Sequence, residues 1–368
     1  MSLSVGIVGL PNAGKSTLFN ALTKAQVAVG AFPFTTIDPN TGVVPVPDPR
    51  LARLAAVFSP PRVIPATVTF TDIAGLVRGA HQGEGLGNQF LGHIRSADAL
   101  ALVLRVFQAA DVGHVEGKVD PLRDLEILDL ELSLADIATV DRRLERVSRT
   151  ARAGGASREV VAEVAGLTRV REALDRGRPA RTVSLSAEEQ VGVREAQLLT
   201  AKPVIYVANV DEADLGGDPA TGPAAGLAAR AGTEEAEFVM VSARLEAEVG
   251  ELEPAEAEDF LGSLGLGESG LSRLSRTGYR ALGLQTFFTA GEKEVRAWTV
   301  PRGATAREAA AVIHTDFARG FIRAEVCDWE QLVEAGGYAG VRERGQRRLE
   351  GREYPVRDGD VMHFLFNV

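Results

Sequence analysis

The chain has 368 residues, of which 45% are hydrophobic and 24% charged, with a formal net charge of −10. That length exceeds one ordinary core and points to two or three domains, and the composition is globular rather than disordered. The acidic balance argues against a globally electropositive nucleic-acid binder while leaving room for local basic patches.

Cys327 is the sole cysteine, which excludes an internal disulfide and a cysteine zinc cluster and suits a reducing compartment. No apolar run is long enough to span a bilayer, and the first one is too short for a signal peptide. The expectation is a cytoplasmic protein without membrane association.

Near the start, the apolar run at residues 4–8 leads into Gly9-Leu10-Pro11-Asn12-Ala13-Gly14-Lys15-Ser16, which fits G-x-x-x-x-G-K-S. Helix-patterned residues follow from Thr17, so the motif lies between a strand and a helix, the context a phosphate-binding loop requires. Its glycines let backbone N–H groups converge on phosphates, while the Lys15 ammonium reaches the terminal phosphates and the Ser16 hydroxyl can hold Mg²⁺. The chain is therefore expected to bind a nucleoside triphosphate. Asn12 either offers its oxygen to a potassium ion beside the phosphates or satisfies the loop backbone.

The next strand, residues 67–71, ends in Asp72-Ile73-Ala74-Gly75, a D-x-x-G match. In such switch proteins the aspartate approaches Mg²⁺ through water and the glycine N–H meets the γ-phosphate. A threonine from the preceding loop completes the metal shell; Thr35 and Thr36 are the candidates, unless they only make turn bonds. Leu76 stands where many such hydrolases place a water-orienting glutamine. Leucine neither donates nor accepts, so hydrolysis is slow or is helped by another group. His81 and His114, in glycine-containing loops, either position water or are simply solvated.

After a strand at 99–106, residues 120–200 repeat leucines and charges at helical spacing, break at Gly154-Gly155 and resume over 157–174. This predicts an antiparallel helical hairpin inserted into the nucleotide domain. Ser186 with Glu189 predicts a capping box for a helix running toward Leu199.

The strand at 204–208 precedes Asn209-Val210-Asp211-Glu212, where guanine-binding relatives carry N-K-x-D. Glu212 is a methylene too long for the guanine donors and Asp211 is one residue out of register. Asn209 can still serve purine N7 and an adenine amine. Losing a buried charged pairing costs about 2 to 3 kcal/mol, enough to reverse a base preference. Ser242-Ala243-Arg244 points the other way, because it is similar to the S-A-K loop that reads guanine O6.

Residues 213–232, rich in glycine and proline, are expected to be a flexible surface connection, and residues 246–259 to form solvated helices. From about residue 284 a strand pair, one helix capped by Thr305 and Glu308, and closing strands after Asp358-Gly359-Asp360 predict a small α+β domain.

These motifs together resemble the YchF subfamily of Obg-like ATPases. The likeness also rests on Phe32-Pro33-Phe34-Thr35-Thr36-Ile37-Asp38-Pro39-Asn40, on Asp72 to Val77, on Gly83-Glu84-Gly85-Leu86-Gly87-Asn88-Gln89, and on the closing run from Asp358 to Val368. The resemblance implies an α/β fold: a P-loop NTPase sheet with a helical coiled-coil insertion and a C-terminal ubiquitin-like β-grasp (TGS) domain. The implied boundaries are residues 1–120 and 201–283 for the nucleotide domain, 121–200 for the insertion and 284–368 for the TGS domain.

The same likeness implies Mg²⁺-dependent hydrolysis of ATP rather than GTP by a ribosome-associated monomer, on the large subunit or the whole ribosome. Asn12, Ala13, Gly14, Lys15, Ser16 and Thr17 would bind phosphate, Ser16 and Thr36 magnesium, and Asn209 and Val210 the base. Leu76 matches the family's hydrophobic replacement for glutamine, and His114 a loop histidine considered a catalytic aid there. Thr35 departs from the cysteine of many relatives, and the glycine- and proline-rich stretch after Asp214 also differs.

Arg142, Arg143, Arg146, Arg149, Arg152 and Arg158, with a second cluster at Arg342, Arg344, Arg347, Arg348 and Arg352, form either a solvated face or a contact for ribosomal RNA phosphates. The leading functional reading is a slow ATPase switch in translation or stress response. The alternatives are an ATP-gated ribosome-binding module with incidental hydrolysis, and an Obg-type GTPase.

Overall fold

The computed structural model describes residues 3–28, 40–73, 86–109, 113–115, 117–152 and 157–367. The chain divides into two compact units, Met1–Gly42 with Thr69–Thr277, and Val43–Val68 with Gly278–Val368. Strands and helices are numbered along the chain.

The first sheet contains β1 (Ser4–Val8), β2 (Thr41–Pro45), β4 (Thr67–Asp72), β5 (Ala99–Arg105), β6 (Val204–Asn209) and β7 (Glu237–Val241), in the order β2-β4-β1-β5-β6-β7. β1 pairs in parallel with β4 and β5, β5 with β6, and β6 with β7. β5 and β6 are buried along their whole length, as central parallel strands packed by helices must be.

The helices of this part of the chain are α1 (Lys15–Ala28), α3 (Leu86–Ser96), α4 (Pro121–Arg152), α5 (Arg158–Asp175), α6 (Ala187–Arg194), α7 (Ala225–Glu234), α8 (Ala243–Val249), α9 (Pro254–Ser263) and α10 (Gly270–Ala281). Phe90, Ile94, Leu128, Leu132, Leu227 and Leu245 join the sheet residues in one core.

The predicted hairpin is α4 with α5, linked by ion pairs of Arg143 with Glu163 (2.5 Å) and Arg171 with Asp141 (2.7 Å). α6 starts at the predicted Ser186–Glu189 capping box and ends at Arg194, short of Leu199. It lies so close to α5 that a Cβ on Gly192 would come 2.6 Å from the Glu163 Cβ. At the root of the hairpin, the buried Asp136 carboxylate accepts the N–H groups of Leu199 (2.9 Å) and Thr200 (2.8 Å) and the Thr200 hydroxyl (2.6 Å).

The second unit holds β3 (Val63–Ile64), β8 (Leu284–Ala290), β9 (Val295–Pro301), β10 (Phe321–Asp328), β11 (Arg348–Glu350) and β12 (Asp360–Phe366), in the order β11-β10-β12-β8-β9-β3. α11 (Ala306–Ile313) begins at the predicted Thr305–Glu308 capping box, and α12 (Thr315–Arg319), α13 (Trp329–Glu334) and α14 (Tyr338–Glu343) follow.

Residues 43–68 also belong to this unit, which the sequence reading did not anticipate. Within them α2 (Pro49–Phe58) is capped by Asp48 and has proline in its first turn. Arg50 bonds Asp48 (2.7 Å) and Asp358 (2.7 Å), Phe58 meets Tyr338 with ring centres 5.5 Å apart, and Arg53 lies over Trp329 at 4.8 Å.

Three expectations need correction. Residues 213–232 are not only a surface connection, because α7 begins at Ala225 and buries Leu227 and Ala231, an i, i+4 pair that the glycine-rich composition masked. Glu246 is not solvated; it is 2% exposed and accepts the Gly270 N–H at 2.6 Å. The C-terminal region has four helices rather than one, and Arg348 lies on a strand. Among the described residues, no helix is long and apolar enough to cross a membrane.

The arginine clusters are partly neutralised. Arg143 faces Glu163 and Glu195, Arg149 pairs with Glu145, Arg158 with Glu188, Arg347 with Glu325 and Arg348 with Asp360. Arg142, Arg146, Arg342 and Arg344 are exposed.

Candidate nucleotide-binding site

Residues 9–14 turn the chain from β1 into α1, and two glycines make that turn possible. A Cβ on Gly9 would come 2.4 Å from the Val103 carbonyl oxygen. Gly14 has φ +90°, and a Cβ there would stand 2.1 Å from Asn209 Nδ2. Lys15 is the first residue of α1, so its ammonium and the positive end of the helix dipole serve the same loop.

Lys15 is 8% exposed, and its ammonium donates to the Leu10 carbonyl at 2.8 Å. Burial pushes its pKa down, and the Asp72 carboxylate opposes the shift. Burial likewise pushes the Asp72 carboxyl up, with Lys15 opposing. An ammonium has three donors, so Lys15 retains capacity for a polyanion, whose charge would stabilise the protonated form.

Among the described residues no group of three or more His, Cys, Asp or Glu could hold a metal ion. A magnesium ion would rely instead on the Ser16 hydroxyl, on Asp72 and on phosphate oxygens, which suits its preference for oxygen ligands and few protein contacts. Ser16 and Thr17 are exposed at the start of α1.

Beside the loop lies a cleft of about 580 Å³, large enough for a nucleoside. Gly14 and Thr17 form one side, Asn209, Val210, Asp211 and Glu212 a second, and Ser242, Ala243, Arg244 and Leu245 a third. Phe107, Gln108 and Ala109 complete the wall. Asn209, 3% exposed, donates from Nδ2 to the Ala13 carbonyl (2.9 Å) and accepts the Ala243 N–H (3.0 Å). Its side-chain oxygen is therefore already engaged, while Nδ2 has a second hydrogen for a base. Asp211 accepts the Gln108 N–H at 3.0 Å, so its carboxylate holds the wall of the cleft.

The structure thus brings Gly14, Thr17, Asn209, Val210, Glu212, Ser242 and Ala243 to one cleft beside Lys15. Asn12 adopts φ 62° and donates to the Gly113 carbonyl at 3.0 Å. His114 does not line the cleft; its Nε2 is 2.8 Å from Asp124 Oδ2, with both side chains buried. Thr35, Thr36, Gly75, Leu76 and His81 lie outside the described residues.

Sequence reasoning missed Arg105 and the 107–109 wall. Arg105 is 2% exposed, and its guanidinium stacks 4.5 Å over Phe107 and donates to the carbonyls of Phe107 (3.4 Å) and Gly113 (3.3 Å). The available signal was a charged residue at the end of an otherwise apolar buried strand.

A mostly parallel sheet with a glycine loop after its first strand, a buried lysine at the following helix, and a nucleoside-sized cleft at the carboxyl ends of β5, β6 and β7 defines a P-loop nucleotide-binding protein of the GTPase type. A family profile described as a 50S ribosome-binding GTPase matches residues 4–149. The C-terminal YchF-GTPase profile, described as a protein of unknown function (DUF933), matches residues 284–367.

The chain is 50% identical to the "Ribosome-binding ATPase YchF" of Bacillus subtilis (strain 168) over 368 residues, covering all of both chains. The protein of the same name from Escherichia coli O157:H7 is also 50% identical, with the same coverage. The solved structure of the Schizosaccharomyces pombe YchF GTPase superposes with a TM-score of 0.88 at 36% identity, covering 99% of this chain and 98% of that one. The chain belongs to the YchF family.

Proposed function

We propose that this protein is a Mg²⁺-dependent ATPase that hydrolyses ATP slowly, in preference to GTP, and acts as a nucleotide-dependent switch on the ribosome. The observation that carries the base preference is the use of the two carboxylates beside the cleft. Asp211 is one residue out of register and its Oδ2 is turned to the Gln108 N–H, and Glu212 is one methylene longer than the aspartate that pairs with guanine. Guanine would leave its N1 and N2 donors without a well-placed acceptor, at a cost of about 2 to 3 kcal/mol. Adenine lacks those donors.

In this reading Ser16, Thr36 and Asp72 serve the magnesium ion, Gly75 meets the γ-phosphate, and Leu76 leaves the attacking water without an amide to orient it. Asn12 would offer its oxygen to a potassium ion and His114 would assist the water. Bacterial relatives are named ribosome-binding ATPases, and this supports the same activity and partner here. The proposed contact is ribosomal RNA, on the large subunit or the whole ribosome, through exposed Arg142, Arg146, Arg342 and Arg344. The protein would act as a cytoplasmic monomer.

One observation favours the second reading, an ATP-gated binding module with incidental hydrolysis: His114 is bonded to Asp124 rather than directed at the cleft. Competition calorimetry with ATP and GTP tests the base preference, and tight GTP binding with negligible ATP binding overturns it. Single-turnover rates with and without ribosomes separate the readings, since a switch that must reset accelerates on its partner. Unchanged co-sedimentation after Arg142 and Arg146 become glutamate would exclude the RNA contact through the hairpin.

A further inference from the structure

Gly113 and His114 meet three parts of the nucleotide unit at once. The Gly113 carbonyl accepts the Asn12 amide at 3.0 Å and the Arg105 guanidinium at 3.3 Å. The next side chain reaches the other way, placing His114 Nε2 2.8 Å from Asp124 in the first turn of α4. A carboxylate only accepts, so Nε2 carries the hydrogen. With the two side chains 4% and 3% exposed, neither partner can exchange this bond for water without opening the packing.

The three contacts differ in what a ligand could disturb. Arg105 is buried at the end of β5 and anchors the segment to the sheet. Asp124 fastens it to a 32-residue helix. Asn12 is exposed, sits in the left-handed region, and belongs to the loop that would surround a triphosphate. Its amide can serve the Gly113 carbonyl or a ligand in the loop, and that competition supplies the differential interaction any ligand-driven shift requires.

We infer that the Gly113–His114 segment is a strap that passes the occupancy of the phosphate loop to the helical hairpin, with Asp124 as the residue that fastens the hairpin end. This rests on the reading of the loop as a nucleoside triphosphate site, and it names how that site is coupled to the accessory helices. The lever is long. A helix of this length spans about 48 Å, so a tilt of about 5° at its base moves the far end by about 4 Å.

The test is hydrogen-exchange mass spectrometry on the full chain, with and without Mg²⁺ and a non-hydrolysable ATP analogue, beside calorimetry of the same analogue. In the parent protein the analogue is expected to change exchange across residues 113–130. Asp124→Ala should lose the response in α4 and change the analogue affinity by no more than about threefold, because coupling is reciprocal and cutting the strap removes only its own share of the binding free energy.

An α4 response of parental size in that variant, or loss of analogue binding by a folded variant, overturns the strap. Where Asp124→Ala fails to fold, the pair His114→Phe with Asp124→Leu removes both polar partners and leaves no buried charge unpaired. A retained α4 response in that pair is equally decisive against it. Absence of analogue binding by the parent protein is a different result, which removes the nucleotide reading and the strap with it.

Discussion

Asn209 holds the Ala13 carbonyl at 2.9 Å through its side-chain N–H, and this bond fastens the phosphate loop to the end of β6. The same amide accepts the Ala243 N–H at 3.0 Å, so one buried side chain ties together the loop, the base cleft and the start of α8.

Asn209→Ala should therefore weaken both folding and binding. It leaves a buried carbonyl and a buried N–H unpaired, at a cost of about 2 kcal/mol or more in stability. Nucleotide affinity is expected to fall at least about tenfold, because the loop and the cleft lose their common reference. Chemical denaturation and titration with a fluorescent ATP analogue measure the two effects.

Glu212→Asp should change selectivity rather than stability. Glu212 is an exposed residue on the cleft wall, so its side chain supports no core. Shortening it by one methylene brings the carboxylate toward the guanine donors. The ATP-to-GTP affinity ratio is expected to move toward GTP by about tenfold or more in competition titrations. An unchanged ratio would place base selection elsewhere in the cleft.

Asp136→Ala should be among the most damaging single changes in the nucleotide unit. It removes the acceptor for the N–H groups of Leu199 and Thr200 and for the Thr200 hydroxyl, all buried. The expected loss is about 3 to 5 kcal/mol by chemical denaturation, with accelerated proteolysis of the hairpin.

Asp129→Asn should become relatively more stable as pH rises. Burial pushes the Asp129 carboxyl up to about 6 from an ordinary 3.8, even with Arg181 nearby. Because the folded state binds this proton more tightly than the unfolded state, the contribution is fully present below about pH 4 and is lost as pH rises through about 6. The wild-type protein should therefore be less stable than Asp129→Asn at pH 7.5, by up to about 3 kcal/mol, and the gap should close toward pH 4. Denaturation curves across that range check the sign; a pH-independent gap would mean that Asp129 does not titrate there.

Much of the nucleotide unit was legible in order along the chain. The predicted strands at 4–8, 67–71, 99–106 and 204–208 coincide with β1, β4, β5 and β6, because the continuous apolar run of a central parallel strand such as β5 or β6 and the alternation of β4 are both local patterns. Both predicted capping boxes form, since each needs only two residues three apart. Helix α2 was also announced locally, by Asp48-Pro49 before Leu51 and Leu54, and its signal was overlooked.

The sequence by itself determined the order of the nucleotide motifs and the residue types they present, because such motifs depend on residue type and on spacing over four to eight positions. Only the tertiary structure decided that Asp211 serves Gln108, that His114 is held by Asp124, that Arg105 shapes the cleft wall, and that residues 43–68 fold with the C-terminal unit. Two of these relationships join residues far apart in the chain, and the two between nearer neighbours depend on which groups the packing buries. A buried polar group must take the nearest available partner, and packing selects that partner with no trace in the local pattern.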